Sequence, residues 1–289
     1  MNDYTKGVLI VSAGALLYAP DSLMLRLMAM DQWPTVFWRG LLGGAVVSLA
    51  YLAVYRGKYP SMMRGLGWAA PAFLVCYVMT TICFVYAIRE TSVANTLFIV
   101  AISPVFSALI AWLALGEAPD RRTVRTIVLA LIGVGVIAFG GEDEGPNSLP
   151  GDIAAVGAAL FLALMFVTSR AVRPRSMSPL VGPAGLLSAV VAGFLVTDFT
   201  IPSGSLWPLL AMGLVIMPIA TWCLTTGPRL IPAPEVSLLM LIEAVFGPLI
   251  VWWALSEYPG DATLIGGAIV LGALAWSSWE RLRGTSGSG

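Results

Sequence analysis

The chain alternates between long apolar runs and short polar breaks. The runs fall at 6–29, 33–55, 65–88, 92–115, 122–140, 152–171, 179–199, 206–227, 232–255 and 261–280. The breaks carry turn residues and charge: Asp31-Gln32, Arg56-Gly57-Lys58, Arg89-Glu90, Gly116–Asp120, Gly141–Gly151, Arg173–Ser178, Ile201–Ser205, Gly227–Ile231 and Tyr258–Gly260. About 20 apolar residues cross a bilayer as a helix, whereas a barrel strand needs only about ten. In lipid the backbone must satisfy its own hydrogen bonds, and runs of this length do so as helices. The pattern predicts an all-α integral membrane protein with ten transmembrane helices and no sizeable domain outside the bilayer.

Composition narrows the chemistry. Charged residues make up 11% of the chain and hydrophobic ones 58%, against about 25% charged in soluble domains, which excludes a water-soluble fold, disorder and nucleic-acid binding. The chain has no histidine, so His-based triads, His metal ligands and imidazole proton relays are excluded. Cys76, Cys83 and Cys223 lie in apolar runs without metal-ligand spacing and read as free buried thiols. No metal or cofactor is implied. The first run contains Asp21 and no small-residue cleavage site, and so reads as a retained span. The tail Gly284–Gly289 reads as a linker-like appendage.

The charges are distributed unevenly. With the N-terminus placed inside, the inner loops hold Lys6, Arg56, Lys58, Arg64, Arg121, Arg122, Arg125, Arg170, Arg173, Arg175, Arg229, Arg281 and Arg283. The outer loops hold Arg89 alone among basic residues, and they gather Asp31, Glu90, Glu142, Asp143, Glu144, Asp152, Asp198, Glu257 and Asp261. Basic residues in short loops stay on the cytoplasmic side, so both termini are expected in the cytoplasm.

The chain also repeats itself. Residues 74–123 align without a gap on 214–263. Identities include Thr81/Thr221, Cys83/Cys223, Arg89/Arg229, Val105/Val245, Phe106/Phe246, Trp112/Trp252, Glu117/Glu257, Pro119/Pro259 and Thr123/Thr263. Matches at Leu, Val or Ala are cheap between apolar helices; those at Trp, Glu, Pro, Cys and Arg are not. A unit of five helices is odd, so the second copy enters the membrane from the opposite side. The reading is therefore a first repeat over 6–140 and an inverted second repeat over 152–280. Inverted repeats with a midplane site between them are the architecture of secondary transporters.

The ordered motifs carry a family resemblance over 6–280. They are Pro34 with Arg39, Ser103-Pro104-Val105-Phe106 running to Leu115-Gly116-Glu117, Ser237 to Glu243, Val245-Phe246, and Leu255-Ser256-Glu257. In these the chain resembles the drug/metabolite transporter superfamily of EamA type. Within it the chain is similar to bacterial exporters of amino acids and related metabolites, the aromatic amino acid exporters among them. It departs at Tyr18-Ala19-Pro20, where a Trp-Gly pair is usual, and in splitting the Glu-Pro pair between Ser103-Pro104 and Glu243-Ala244. The resemblance implies a bacterial inner-membrane location, a small-molecule substrate and a bilayer as partners, and leaves substrate and oligomeric state open.

Ionisable residues inside a membrane are functional candidates by default. Asp21, Arg26, Arg39 and Glu243 lie well inside runs. Asp21 and Arg39 stand equally far from the turn at Met30, so an antiparallel hairpin sets them at one depth as an ion pair. That pair is either structural, or a carboxylate clamp that Arg39 forms once Asp21 is protonated. Glu243, near the middle of its run, is either a hydrogen-bonded structural carboxyl or one that contacts an ammonium group when ionised and carries a proton when neutral. Polar and aromatic residues at helical spacing propose a cavity lined by Tyr18, Tyr77, Thr81, Phe84, Asn95, Phe98, Ser103, Trp222, Thr225 and Glu243. Pro104, Pro218 and Pro248 are candidate breaks or hinges. The expected function is export of small metabolites, amino acids above all, by alternating access. A membrane-embedded lipid-handling protein or enzyme, and a channel-like facilitator, are the alternatives.

Overall fold

The computed structural model describes residues 3–28, 30–91, 93–140, 148–256 and 260–286. Glu142, Asp143, Glu144, Glu257, Tyr258 and Pro259 of the expected outer loops, and Gly287–Gly289 of the tail, lie outside the described residues, as does the side chain of Arg26.

All regular structure among the described residues is helical. Eight helical stretches are long and apolar enough to cross a bilayer: Asp3–Leu25, Gln32–Arg64, Ala69–Glu90, Asn95–Leu115, Arg121–Phe139, Leu149–Ala171, Ser203–Arg229 and Ala233–Ala254. Two shorter apolar helices, Ser178–Gly193 and Asp261–Ser277, complete ten. They are spans 1 to 10 in chain order, with Ser178–Gly193 as span 7 and Asp261–Ser277 as span 10. The last helix continues to Ser286, so it runs into the segment expected as a tail.

Spans 1 and 4 are broken and span 8 is irregular, each beside a proline. Span 1 divides into Asp3–Tyr18 and Asp21–Leu27, with Pro20 immediately before the second piece. Proline has no N–H and its ring crowds the carbonyl four residues back, so the ladder stops at Ala19 and restarts when the Met24 amide donates to the Pro20 carbonyl at 2.9 Å. Span 4 divides into Val93–Val100 and Ser103–Leu115, where Pro104 opens the second piece. Span 8 contains a six-residue π-helical stretch, Ala211–Ile216, ahead of Met217-Pro218. Such wide turns are frequent at functional sites. Span 9 is different: Ala233–Leu255 is one continuous helix through Pro248, so that proline makes no break.

The ten spans form two inverted five-helix repeats, and the packing follows the exchange of each span with its counterpart five later. Span 3 packs on span 6 as span 8 packs on span 1; span 4 packs on span 6 as span 9 packs on span 1. Spans 2, 4 and 5 pack on their own counterparts 7, 9 and 10. Glycines make the approach of two such pairs possible. A Cβ on Gly44 would meet the Leu186 amide at 2.5 Å and the Gly182 carbonyl at 2.8 Å, and one on Gly40 would meet the Gly185 carbonyl at 2.6 Å. As the number rises along span 2 the partner's number falls along span 7, so the two run antiparallel. Gly133 and Gly266 bring spans 5 and 10 together in the same sense, with a Cβ on Gly133 2.7 Å from the Gly266 carbonyl. Antiparallel counterparts are what inversion of the second repeat requires.

Candidate functional site

Beside the break in span 1 and the π-helical stretch of span 8 lies a cavity of about 110 Å³, lined from both halves. Span 1 contributes Tyr18 and Asp21, span 2 Arg39, and span 3 Tyr77, Thr80, Thr81 and Phe84. From the second half, span 6 presents Ala158, Leu162 and Met165, span 8 Met217 and Thr221, and span 9 Met240 and Glu243. Each wall follows helical spacing: three- and four-residue steps put one face of each span on the cavity. The break at Ala19-Pro20 sits between Tyr18 and Asp21, and both nevertheless reach it.

The polar groups are partnered in a definite way. Arg39 Nη2 donates to Asp21 Oδ1 at 2.7 Å, with the two side chains 4% and 3% exposed. Arg39 Nε donates to Met217 Sδ at 3.3 Å. Arg39 Nη1 is buried and has no acceptor among the described residues. The hydroxyls of Tyr18 and Thr221 share a hydrogen bond at 2.9 Å, which joins span 1 to span 8 across the cavity wall. Thr80 and Thr81 donate to the carbonyls of Cys76 and Tyr77 at 2.7 and 3.0 Å, so their hydroxyls are satisfied within their own helix. Glu243 lines both the main cavity and a smaller pocket beside it that reaches Ser103, Leu97 and Leu241. Ser107 and Ser237 meet in a buried hydrogen bond at 2.5 Å, tying span 4 to span 9 below Glu243.

Of the residues proposed from sequence, Tyr18, Tyr77, Thr81, Phe84 and Glu243 meet around the cavity with Asp21 and Arg39, and Ser103 lies in the adjoining pocket. Four lie elsewhere. Asn95 donates to Asp152 Oδ1 at 2.6 Å, where Thr91 also binds at 3.1 Å, joining the ends of spans 3, 4 and 6. Phe98 packs edge-on against Phe139 with ring centres 5.2 Å apart. Trp222 is 45% exposed on the outer face of span 8, one residue round from Thr221. Thr225 is buried one turn beyond Thr221, where its hydroxyl meets Ser178 at 3.2 Å. Sequence reasoning did not assign Met165, Met217, Leu162 and Ala158 to the wall. The helical spacing of Ala158, Leu162 and Met165 on span 6 was a usable signal, but apolar residues at that spacing equally describe a helix packed on another helix.

The end that carries the basic loops is closed by a second constellation. Arg170, 9% exposed at its side chain, donates through Nε to both Glu117 carboxylate oxygens at 3.1 Å. Its Nη1 donates to the Pro228 and Ile231 carbonyls at 3.2 and 3.3 Å. One guanidinium thus fastens the ends of spans 4 and 6 to the connection between spans 8 and 9. Tyr59 reaches the Pro179 carbonyl at 2.8 Å, and Arg229 the Pro174 carbonyl at 2.8 Å.

A largely apolar cavity that holds Asp21, Arg39 and Glu243 thus lies between the two halves, with side-chain bonds fastening the span ends on either side of it. The family model described as "EamA-like transporter family" matches residues 5–139, essentially the first five spans. No curated protein matches the sequence. A solved structure described as "Crystal structure of protein" is 20% identical, covers 94% of this chain and 98% of its own, and superposes with a TM-score of 0.75; at that identity the likeness shows the fold alone. Residues 5–139, just under half of the chain, are thus similar to the EamA-like transporter family. With eight helical stretches long and apolar enough to cross a bilayer, the chain has the build of a multi-pass membrane protein.

Proposed function

We propose that this protein is an exporter of amino acids or closely related metabolites that works by alternating access. The observation that supports this reading most is the cavity itself, in which Asp21, Arg39 and Glu243 are gathered from both halves against walls of methionine, leucine and phenylalanine. Charge inside a membrane is costly, and here it is concentrated where a solute would pass. Few charges and apolar walls suit a small zwitterion with an apolar side chain, whereas a phosphorylated sugar would call for more lysine or arginine. The two halves, 6–140 and 152–280, are proposed to rock about the cavity. In this reading the Glu117–Arg170 fastening opens toward the cytoplasm and the Asn95–Asp152 fastening toward the outside. The distribution of basic loops supports cytoplasmic termini in a bacterial inner membrane.

The test is flux in proteoliposomes. Purified protein is reconstituted and challenged with radiolabelled neutral amino acids, with and without a pH gradient. Saturable, protein-dependent flux of at least one of them is expected. Flux of none of the neutral or aromatic amino acids would overturn the substrate reading. A reporter after Arg281 should read cytoplasmic, and an external signal would overturn the orientation.

A further inference from the structure

We propose that Arg39 Nη1 is the docking point for the carboxylate of a monoanionic or zwitterionic solute with a small apolar body. This rests on the transport reading and deepens it by naming the group that the site recognises. Arg39 lines the cavity and is 4% exposed. Two of its three nitrogens are occupied, Nη2 by Asp21 and Nε by Met217. Nη1 is buried without an acceptor among the described residues. A buried N–H group left unmade is costly, and a guanidinium edge matches a carboxylate in shape as well as charge. Arg39 lines the cavity, so a small turn of its guanidinium brings to a solute oxygen a donor that has no acceptor among the described residues.

The surroundings select among anions. Among the described side chains on the cavity wall Arg39 is the one basic residue, and it already shares its charge with Asp21. Glu243 stands on the same wall. A phosphomonoester dianion would bring two charges against two carboxyl groups and a single cation, whereas a monocarboxylate meets one donor edge. The apolar part of the lining includes Met165, Met217, Met240, Leu162, Phe84 and Val100, which takes an apolar body of adaptable shape. An ammonium group on the same solute has Glu243 within the same cavity.

The experiment compares acids with their amides, which keep size and lose the charge. Binding of isovalerate, isovaleramide, leucine and leucinamide is measured by titration calorimetry on purified protein in nanodiscs, alongside liposome flux of the same solutes. Isovalerate and leucine should bind roughly tenfold or more tightly than their amides, as expected for a hydrogen bond between charged groups. In Asp21→Asn/Arg39→Gln, which leaves no orphaned charge, that preference should vanish. In Asp21→Asn alone the acids should bind more tightly than to wild type, because Nη2 is released and Arg39 keeps its charge. Equal binding of acids and amides by wild type, survival of the preference in the double variant, or no binding of either acid overturns the proposal. Binding of the acids without flux counts against transport and leaves the docking point standing; flux that is equal for acids and amides does the reverse.

Discussion

Replacing one member of the Asp21–Arg39 pair should damage the protein far more than replacing both. The nitrogen and oxygen are 2.7 Å apart with both side chains almost wholly buried. At an effective dielectric of 20 the attraction is about 6 kcal/mol. Removing two ions from water costs several kcal/mol each, so the intact pair contributes little net stability, while a single deletion keeps one desolvation cost and loses the attraction. Breaking a buried pair in this way costs about 3–5 kcal/mol. Arg39→Gln should therefore lower the melting temperature in detergent by roughly 5–15 °C, and Asp21→Asn by a similar amount. Asp21→Asn/Arg39→Gln should lie within about 1 kcal/mol of wild type, a coupling well outside additive behaviour. The assay is fluorescence-detected thermal unfolding of the four proteins in one detergent. A double variant as unstable as the sum of the singles would refute the reasoning, because it would mean that the two side chains contribute independently.

The remaining expectations follow from other contacts. Gly44→Ala places a methyl group 2.5 Å from the backbone amide of Leu186, so spans 2 and 7 must separate and the melting temperature should fall by several degrees; Gly272, with open space around it, should tolerate alanine or gain up to about 1 kcal/mol. Glu117→Gln removes the charge that Arg170 Nε holds at 3.1 Å. A cysteine placed at Thr221 should then react several-fold faster with a water-soluble maleimide applied from the side of the basic loops, and an unchanged rate would remove Arg170 from gating. Glu243→Gln keeps shape but cannot titrate; flux should fall steeply or lose its pH dependence at normal expression, and an unchanged flux and pH profile would leave Glu243 a structural role.

Much of the fold was legible because the bilayer imposes one length and one periodicity on every span. Run length alone located all ten helices, and five per repeat required inversion. The equal distance of Asp21 and Arg39 from the turn at Met30 placed them at one depth, and they lie 2.7 Å apart. What the pattern did not carry is azimuth. Thr221 and Trp222 are neighbours in sequence, yet one bonds Tyr18 at the cavity and the other is turned outward. Nothing in a uniformly apolar helix says which side faces lipid and which faces protein. Asn95 was assigned to the cavity for the same reason, since a polar residue within a span satisfies a neighbouring helix as readily as a solute. Nor did the prolines announce their effects: Pro20 stops a ladder and Pro104 opens one, whereas the helix continues through Pro248. The π-helical stretch at Ala211–Ile216 has no sequence signature beyond the Pro218 that follows it.

Alternating access through the central cavity is tested most directly by counterflow. Proteoliposomes are loaded with unlabelled leucine and diluted into a trace of labelled leucine without any ion gradient. A carrier that returns faster loaded than empty should accumulate label transiently above equilibrium, and the overshoot should disappear in Asp21→Asn/Arg39→Gln. Label that rises only to equilibrium, at a rate indifferent to leucine inside, would contradict alternating access and indicate an open path.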